Sequence, residues 1–159
     1  MPTPIAILIA LSSKRLTLLE SEPETLEDVV EARHEEEIPG LLDLKTHWET
    51  LDTLVSGRGR DEILGDAFLA RSGKRLAVDT AFEQARVLSP ARVAEIAVKL
   101  AEVPESLITE RYKALAEAKS PGKPIKAKEL AELLELFLDV QDLYEDAAEA
   151  KQSMLALLI

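Results

Sequence analysis

"LLELFLDVQDLYEDAAEAKQSMLALLI", residues 133–159, changes its apolar period partway along, and that change decides the architecture. Placed at about 100° per residue, Leu130, Leu133, Leu134, Phe137, Val140, Tyr144 and Ala148 cover one broad side of a helix predicted over 126–149. "SMLALLI" (153–159) is instead a short apolar run and reads as a closing strand. Its counterpart at the other end is "PIAILIAL" (4–11), read as a strand buried on both faces. "ARVL" (85–88) supplies a short central strand.

Helices fill the intervals. Ser12 or Ser13 can cap one over 14–20, and Leu26, Val29 and Val30 form the narrow stripe of another over 24–34, ended by "IPG" (38–40). In "LDLKTHWETLDTLVSG" (42–57), Leu44, Trp48, Leu51 and Leu54 or Val55 recur at helical spacing, with Asp43 as cap and Gly57 just past the end. Trp48 falls within that stripe, so it reads as packing, with His47 at its border. The Gly-punctuated stretch 58–84 is the least regular, with a short helix predicted over 61–71. Ser89-Pro90 starts a helix with inner residues Val93, Ile96, Ala97 and Leu100, and Pro104 opens another, short one. Strands at both ends and near the middle, with helices between, predict an α+β fold: a small antiparallel or mixed sheet covered by several helices, in a single domain over 1–159.

Composition bounds the function. Apolar residues make up 47% and aromatics only 4%, so Leu, Val, Ile and Ala must build the core. The net charge of −11 argues against nucleic acid and anionic membranes, whose phosphates need Lys and Arg. It leaves basic proteins and cations as partners. With no cysteine, thiolate chemistry, zinc-thiolate sites and iron–sulfur clusters are excluded, and a cytoplasmic location is expected. "PIAILIAL" lacks a basic segment before it and is far too short to span a bilayer, so neither a signal peptide nor a membrane helix is expected there.

The blocks placed above resemble the YfbM-like family of small bacterial proteins, whose function is unknown. Three carry the likeness: "LDLKTHWETLDTLVSG", with its central Trp and terminal Gly; "AFEQARVLSPARVAEIAVKLAEV" (81–103), similar to the family's A-R-x-L-x-P followed by a helix; and 133–159, its aromatic-bearing last helix and C-terminal strand. The resemblance implies a fold rather than a reaction. Relatives often carry His one and four residues after the Trp; Glu49 and Asp52 stand there in this chain. The family's G-Y-G-P is replaced by Ala81-Phe82-Glu83-Gln84.

No residue reads as catalytic, and no metal or cofactor is expected. His34 beside Glu35 and Glu37 reads as the solvated end of an acidic helix. No G-x-S-x-G occurs, and "SGRGRDE" lacks the rest of a phosphate loop. "RSGKRL" (71–76) is basic and Gly-containing, and reads as a surface turn. Arg86, on a strand, needs a carboxylate or carbonyl partner. The sharpest feature is on the last helix. Glu132, Glu135, Asp139, Asp142, Asp146 and Glu149 recur at alternating spacings of 3 and 4, one stripe opposite the core. Repulsion of roughly 0.2–0.5 kcal/mol per neighbouring pair makes such a stripe unfavourable for the helix. The expected function is a non-enzymatic module binding a basic protein, such as an immunity protein occluding a basic toxin. The alternative is a small-ligand binder or enzyme with a pocket near Trp48, Arg86 and Tyr144. A homo-oligomeric structural protein is a third reading; the sequence leaves the oligomeric state open.

Overall fold

The structure, a computed structural model, describes residues 4–76, 82 and 84–159. Residues 77–81 and 83, including Ala81 and Glu83 of the second family-like block, lie outside the described residues. The elements run β1 (Ala6–Leu11), α1 (Ser13–Ser21), α2 (Glu24–Ala32), β2 (Leu41–Lys45), α3 (Trp48–Ser56), α4 (Asp66–Leu69), β3 (Lys74–Arg75), β4 (Gln84–Leu88), α5 (Pro90–Ala101), α6 (Glu105–Lys119), α7 (Ala127–Glu149) and β5 (Ser153–Leu158). The strands form one sheet in the order β2-β1-β5-β4-β3, and every pairing is antiparallel. The α+β class is therefore as expected, with the sheet antiparallel rather than mixed.

The two apolar runs are the sheet's centre. β1 pairs with β5 along its whole length, Ala6 opposite Leu158 through Leu11 opposite Ser153. Strands so placed have neighbours on both edges and helices on both faces, which is why they carry no polar alternation. Ile7, Ile9, Leu11, Leu155 and Leu157 face Leu19, Leu26 and Val30 of α1 and α2. Ala6, Leu8, Ala10, Met154 and Ala156 face the larger layer of α3 to α7, packed around Phe68, Phe137 and Tyr144.

The expected caps are present where the side chain can reach. The Ser12 and Ser89 hydroxyls accept from the backbone N–H groups of Arg15 and Arg92, and Pro90 begins α5. Gly57 adopts the left-handed conformation that ends α3 (φ 64°). Gln141, polar on the apolar side of α7, donates to the Leu100 carbonyl at 2.7 Å.

Elsewhere the structure corrects the sequence reading. The helix expected over 44–55 is two elements. Residues 41–45 form an edge strand, the chain turns through Lys45 in a left-handed conformation (φ 53°), and α3 begins only at Trp48. Asp43 is not its cap: its carboxylate accepts from the Lys45 backbone N–H and pairs with Arg33 at 3.1 Å. Leu44 is fully buried, but as a strand residue. The reason is the free edge of β1, whose backbone groups must be paired; β2 pairs them, with Leu41 opposite Ile9 and Lys45 opposite Ala6. Likewise the helix expected over 61–71 is the four-residue α4. Asp61 arrests the preceding turn by accepting from the N–H groups of Ile63 and Leu64. α2 stops at Ala32 rather than 34, and α6 is a full 15 residues. The two-residue β3 had no counterpart in the sequence reading. It lies against β4, where Gly73 leaves no room for a side chain: a Cβ there would sit 2.8 Å from the Val87 carbonyl oxygen.

Candidate functional site

α7 presents two unlike faces. Leu130, Leu133, Phe137, Val140, Tyr144 and Ala147 are buried, whereas Glu132, Glu135, Asp139, Asp142, Asp146 and Glu149 are all exposed. Glu145 is exposed too and widens the acidic face beyond the stripe read from the sequence. Among the described residues one cation-capable side chain comes within ion-pair distance of the six: His47 Nε2 lies 3.7 Å from Glu132 Oε2. The last turn of α7 has no basic residue, so Asp146 and Glu149 also oppose the negative end of the helix dipole. Partial desolvation, then Glu135 and Asp142, raise the Asp139 carboxyl above its ordinary value. Beside this face a groove of about 390 Å³ is lined by Leu42, Leu136, Glu132, Glu135 and Asp139, together with Asp43, Lys45 and His47. Leu138, 42% exposed, adds an apolar spot on the same helix.

The Asp139 shift has a consequence for stability. Its carboxyl holds a proton more tightly folded than unfolded. Its unfavourable contribution is therefore full above the folded pKa and vanishes as pH falls below the unfolded one. Asp139→Asn is expected to stabilise the protein at neutral pH by about 0.4–1 kcal/mol, two relieved contacts at roughly 0.2–0.5 each. Urea unfolding at neutral pH and at pH 3 checks this, the advantage shrinking in acid. A neutral or destabilising substitution would show that the acids do not strain the helix.

Trp48, Arg86 and Tyr144 are not brought together. The indole Nε1 of Trp48 donates to the Pro4 carbonyl at 2.7 Å, tying α3 to the start of β1, and the ring is half-buried against the core. Arg86, on β4, donates to the Gly73 carbonyl at 3.2 Å, which is the carbonyl partner its sequence setting required. Tyr144 is fully buried, its hydroxyl donating to the Ala67 carbonyl; burial, then Asp66, pushes its phenol far above the ordinary range. Among the described residues, none of the three lines the cavity between α1 and β4, the depressions where α3 and α6 meet the start of α7, or the groove beside the acidic face of α7. His34 is exposed just beyond α2.

A buried, extensively hydrogen-bonded polar cluster was missed in the sequence. Asp66, 1% exposed, accepts from the Ser72 N–H at 2.8 Å, the Ser72 hydroxyl and Arg92 Nε at 2.7 Å. Asp52, 3% exposed, receives both terminal nitrogens of Arg71 and the Ser56 hydroxyl. These carboxylates hold the Arg92 and Arg71 guanidiniums above the ordinary arginine value, each chiefly through the hydrogen bond it accepts. Arg71 also reaches the Gly65 carbonyl, so the cluster closes the loop between α3 and β3. Among the described residues no buried side-chain nitrogen or oxygen lacks a partner. Charges so fully paired hold a loop rather than turn over a substrate. One signal was available: Asp52 stands four residues after Trp48 and three before Val55, on the inward face of α3, where a carboxylate requires a buried partner.

A third feature is a cavity of about 590 Å³ between α1, the β3–β4 end of the sheet and the start of α5. It is built partly from the "RSGKRL" segment read as a surface turn.

An antiparallel five-stranded sheet with two helices on one face and five on the other defines a small α+β domain, and among the described residues no helix is long and apolar enough to cross a membrane. A family model described as "Domain of unknown function (DUF1877)" matches residues 3–157, and the chain belongs to this family, the YfbM-like proteins. A solved structure of the protein of unknown function YfbM from Escherichia coli is similar over 98% of this chain and 99% of that one, with a TM-score of 0.62 at 15% identity. That likeness shows the fold. No curated protein matches the chain.

Proposed function

We propose that this protein is a non-catalytic binding module whose acidic α7 face docks a cationic protein. One observation carries the reading: six carboxylates stand exposed along a single face of α7, against both mutual repulsion and the helix dipole. Lysine at these positions would serve solubility equally well and relieve the repulsion. A partner that supplies positive charge turns this liability into attraction and speeds encounter. The adjoining groove, whose lining includes Leu42 and Leu136, and the exposed Leu138 offer the apolar contacts that charge alone does not provide. A basic toxin, such as a nuclease neutralised by occlusion in the bacterial cytoplasm, has the required chemistry, and the cysteine-free composition suits that compartment.

The test uses charge reversal. The double variant D139K/D142K should remain folded, since it removes repulsion. Partners captured by the wild-type chain are purified and titrated against both forms at low and physiological salt. We expect wild-type affinity to fall steeply with salt and the variant to lose about tenfold or more, consistent with two interfacial charge contacts. Amide exchange should show new protection along residues 132–149 on binding. Equal affinity of both forms, or protection elsewhere, rejects the acidic face as the docking surface.

A further inference from the structure

We infer that the cavity between α1 and the β3–β4 end of the sheet binds a small amphipathic anion, a phosphate ester or carboxylate with an apolar tail. This site is distinct from the α7 face and carries the opposite charge. In a protein of net charge −11, the described residues of its lining include Lys74, Arg75 and Arg92 and, among carboxylates, Glu20. Arg92 is committed to Asp66 and Glu95, but among the described residues neither Lys74 nor Arg75 has a carboxylate within ion-pair distance. Two exposed cations at the rim are thus available to a ligand.

The interior points the same way. Ser153 lines the cavity from the start of β5 and is only 7% exposed, yet its hydroxyl makes no hydrogen bond among the described residues. Because no buried side-chain oxygen among the described residues lacks a partner, this hydroxyl is open to solvent and free to hydrogen-bond a ligand in the cavity. Ser89 also lines it and caps the 12-residue α5, so the positive end of that helix dipole opens there. The lining also supplies hydrocarbon: Leu16, Leu76 and Val87 border the same space. At about 590 Å³ it lies within the range of sites that bury a small organic molecule, roughly 300–1,000 Å³. An anionic head beside Ser153 and Ser89, reached by Lys74 or Arg75, and an apolar body against the leucines satisfy both halves of the lining.

The full-length protein is titrated with hexyl phosphate, hexanoate and inorganic phosphate, followed by calorimetry and by backbone amide NMR shifts. Either hexyl probe should bind saturably and more tightly than inorganic phosphate, shifting residues 72–76, 89–92 and 153; the tighter of the two names the head group. K74E/R75E, two exposed substitutions, should weaken binding about tenfold or more, through loss of charge-assisted contacts. Ser153→Ala should weaken it several-fold with an unchanged melting temperature, as for loss of one hydrogen bond. No saturable binding of either hexyl probe at millimolar concentration, shifts confined to other residues, or affinity unmoved by K74E/R75E in a folded variant overturns the inference.

Discussion

Asp66→Ala is expected to destabilise the fold by about 3–5 kcal/mol, the range for removing one partner of a buried ion pair. Asp66 is 1% exposed and accepts three hydrogen bonds, from the backbone and hydroxyl of Ser72 and from Arg92. Its loss strands the Arg92 guanidinium near the start of α5 and leaves the Ser72 N–H without its acceptor. Most of the effect comes from what remains behind, not from the pair's net strength. The double variant Asp66→Ala/Arg92→Met should therefore recover part of the loss, since the orphaned charge is gone. Urea unfolding of the wild type, both single variants and the double variant closes the cycle. A loss below about 1 kcal/mol, the level of an exposed pair, would show that the cluster is open to water.

The second large effect is Phe137→Ala, expected to cost about 3–5 kcal/mol through lost burial and the cavity left behind. Phe137 is fully buried in the layer between α7 and the sheet. Its neighbour in sequence provides the contrast: Leu138 is 42% exposed, and Leu138→Ala should change stability by no more than about 0.5 kcal/mol. Thermal or urea unfolding of the two variants side by side reads the orientation of α7 directly. A comparable loss at both positions would mean that the helix is rotated and that its acidic face is not the outer one.

The same two-faced helix explains why much of the fold was legible. A 23-residue helix carries its burial pattern many times over, so Leu130 through Tyr144 declare the inward face without help from the rest of the chain. β1 and β5 were legible for a different reason. Central strands covered on both faces are apolar throughout, and nothing else in so short a run competes with that reading. Ser89-Pro90 marked the start of α5 because capping is satisfied within four residues.

Edge strands offered no such redundancy. In residues 41–57, Leu44 fits a helical stripe with Trp48 and Leu51 and equally fits a strand with Leu42. Local spacing is silent between the two; the unpaired edge of β1 decides, because its backbone groups require a partner. β3 is two residues long and has no period at all.

The candidate sites divide along the same line. The acidic stripe belongs to one helix and is visible in its spacing. The buried ionic cluster joins Asp52 to Arg71 and Asp66 to Arg92, and the anion cavity joins Lys74 and Arg75 to Ser89 and Ser153. The sequence by itself determined the central strands, the long helix and its charged face, because periodic burial and capping act over a few neighbouring residues. Only the tertiary structure decided the edge strands, the ionic clamp and the cavity. Those depend on which distant backbone edges and side chains meet once the sheet has closed, and pairing across space leaves no period along the chain.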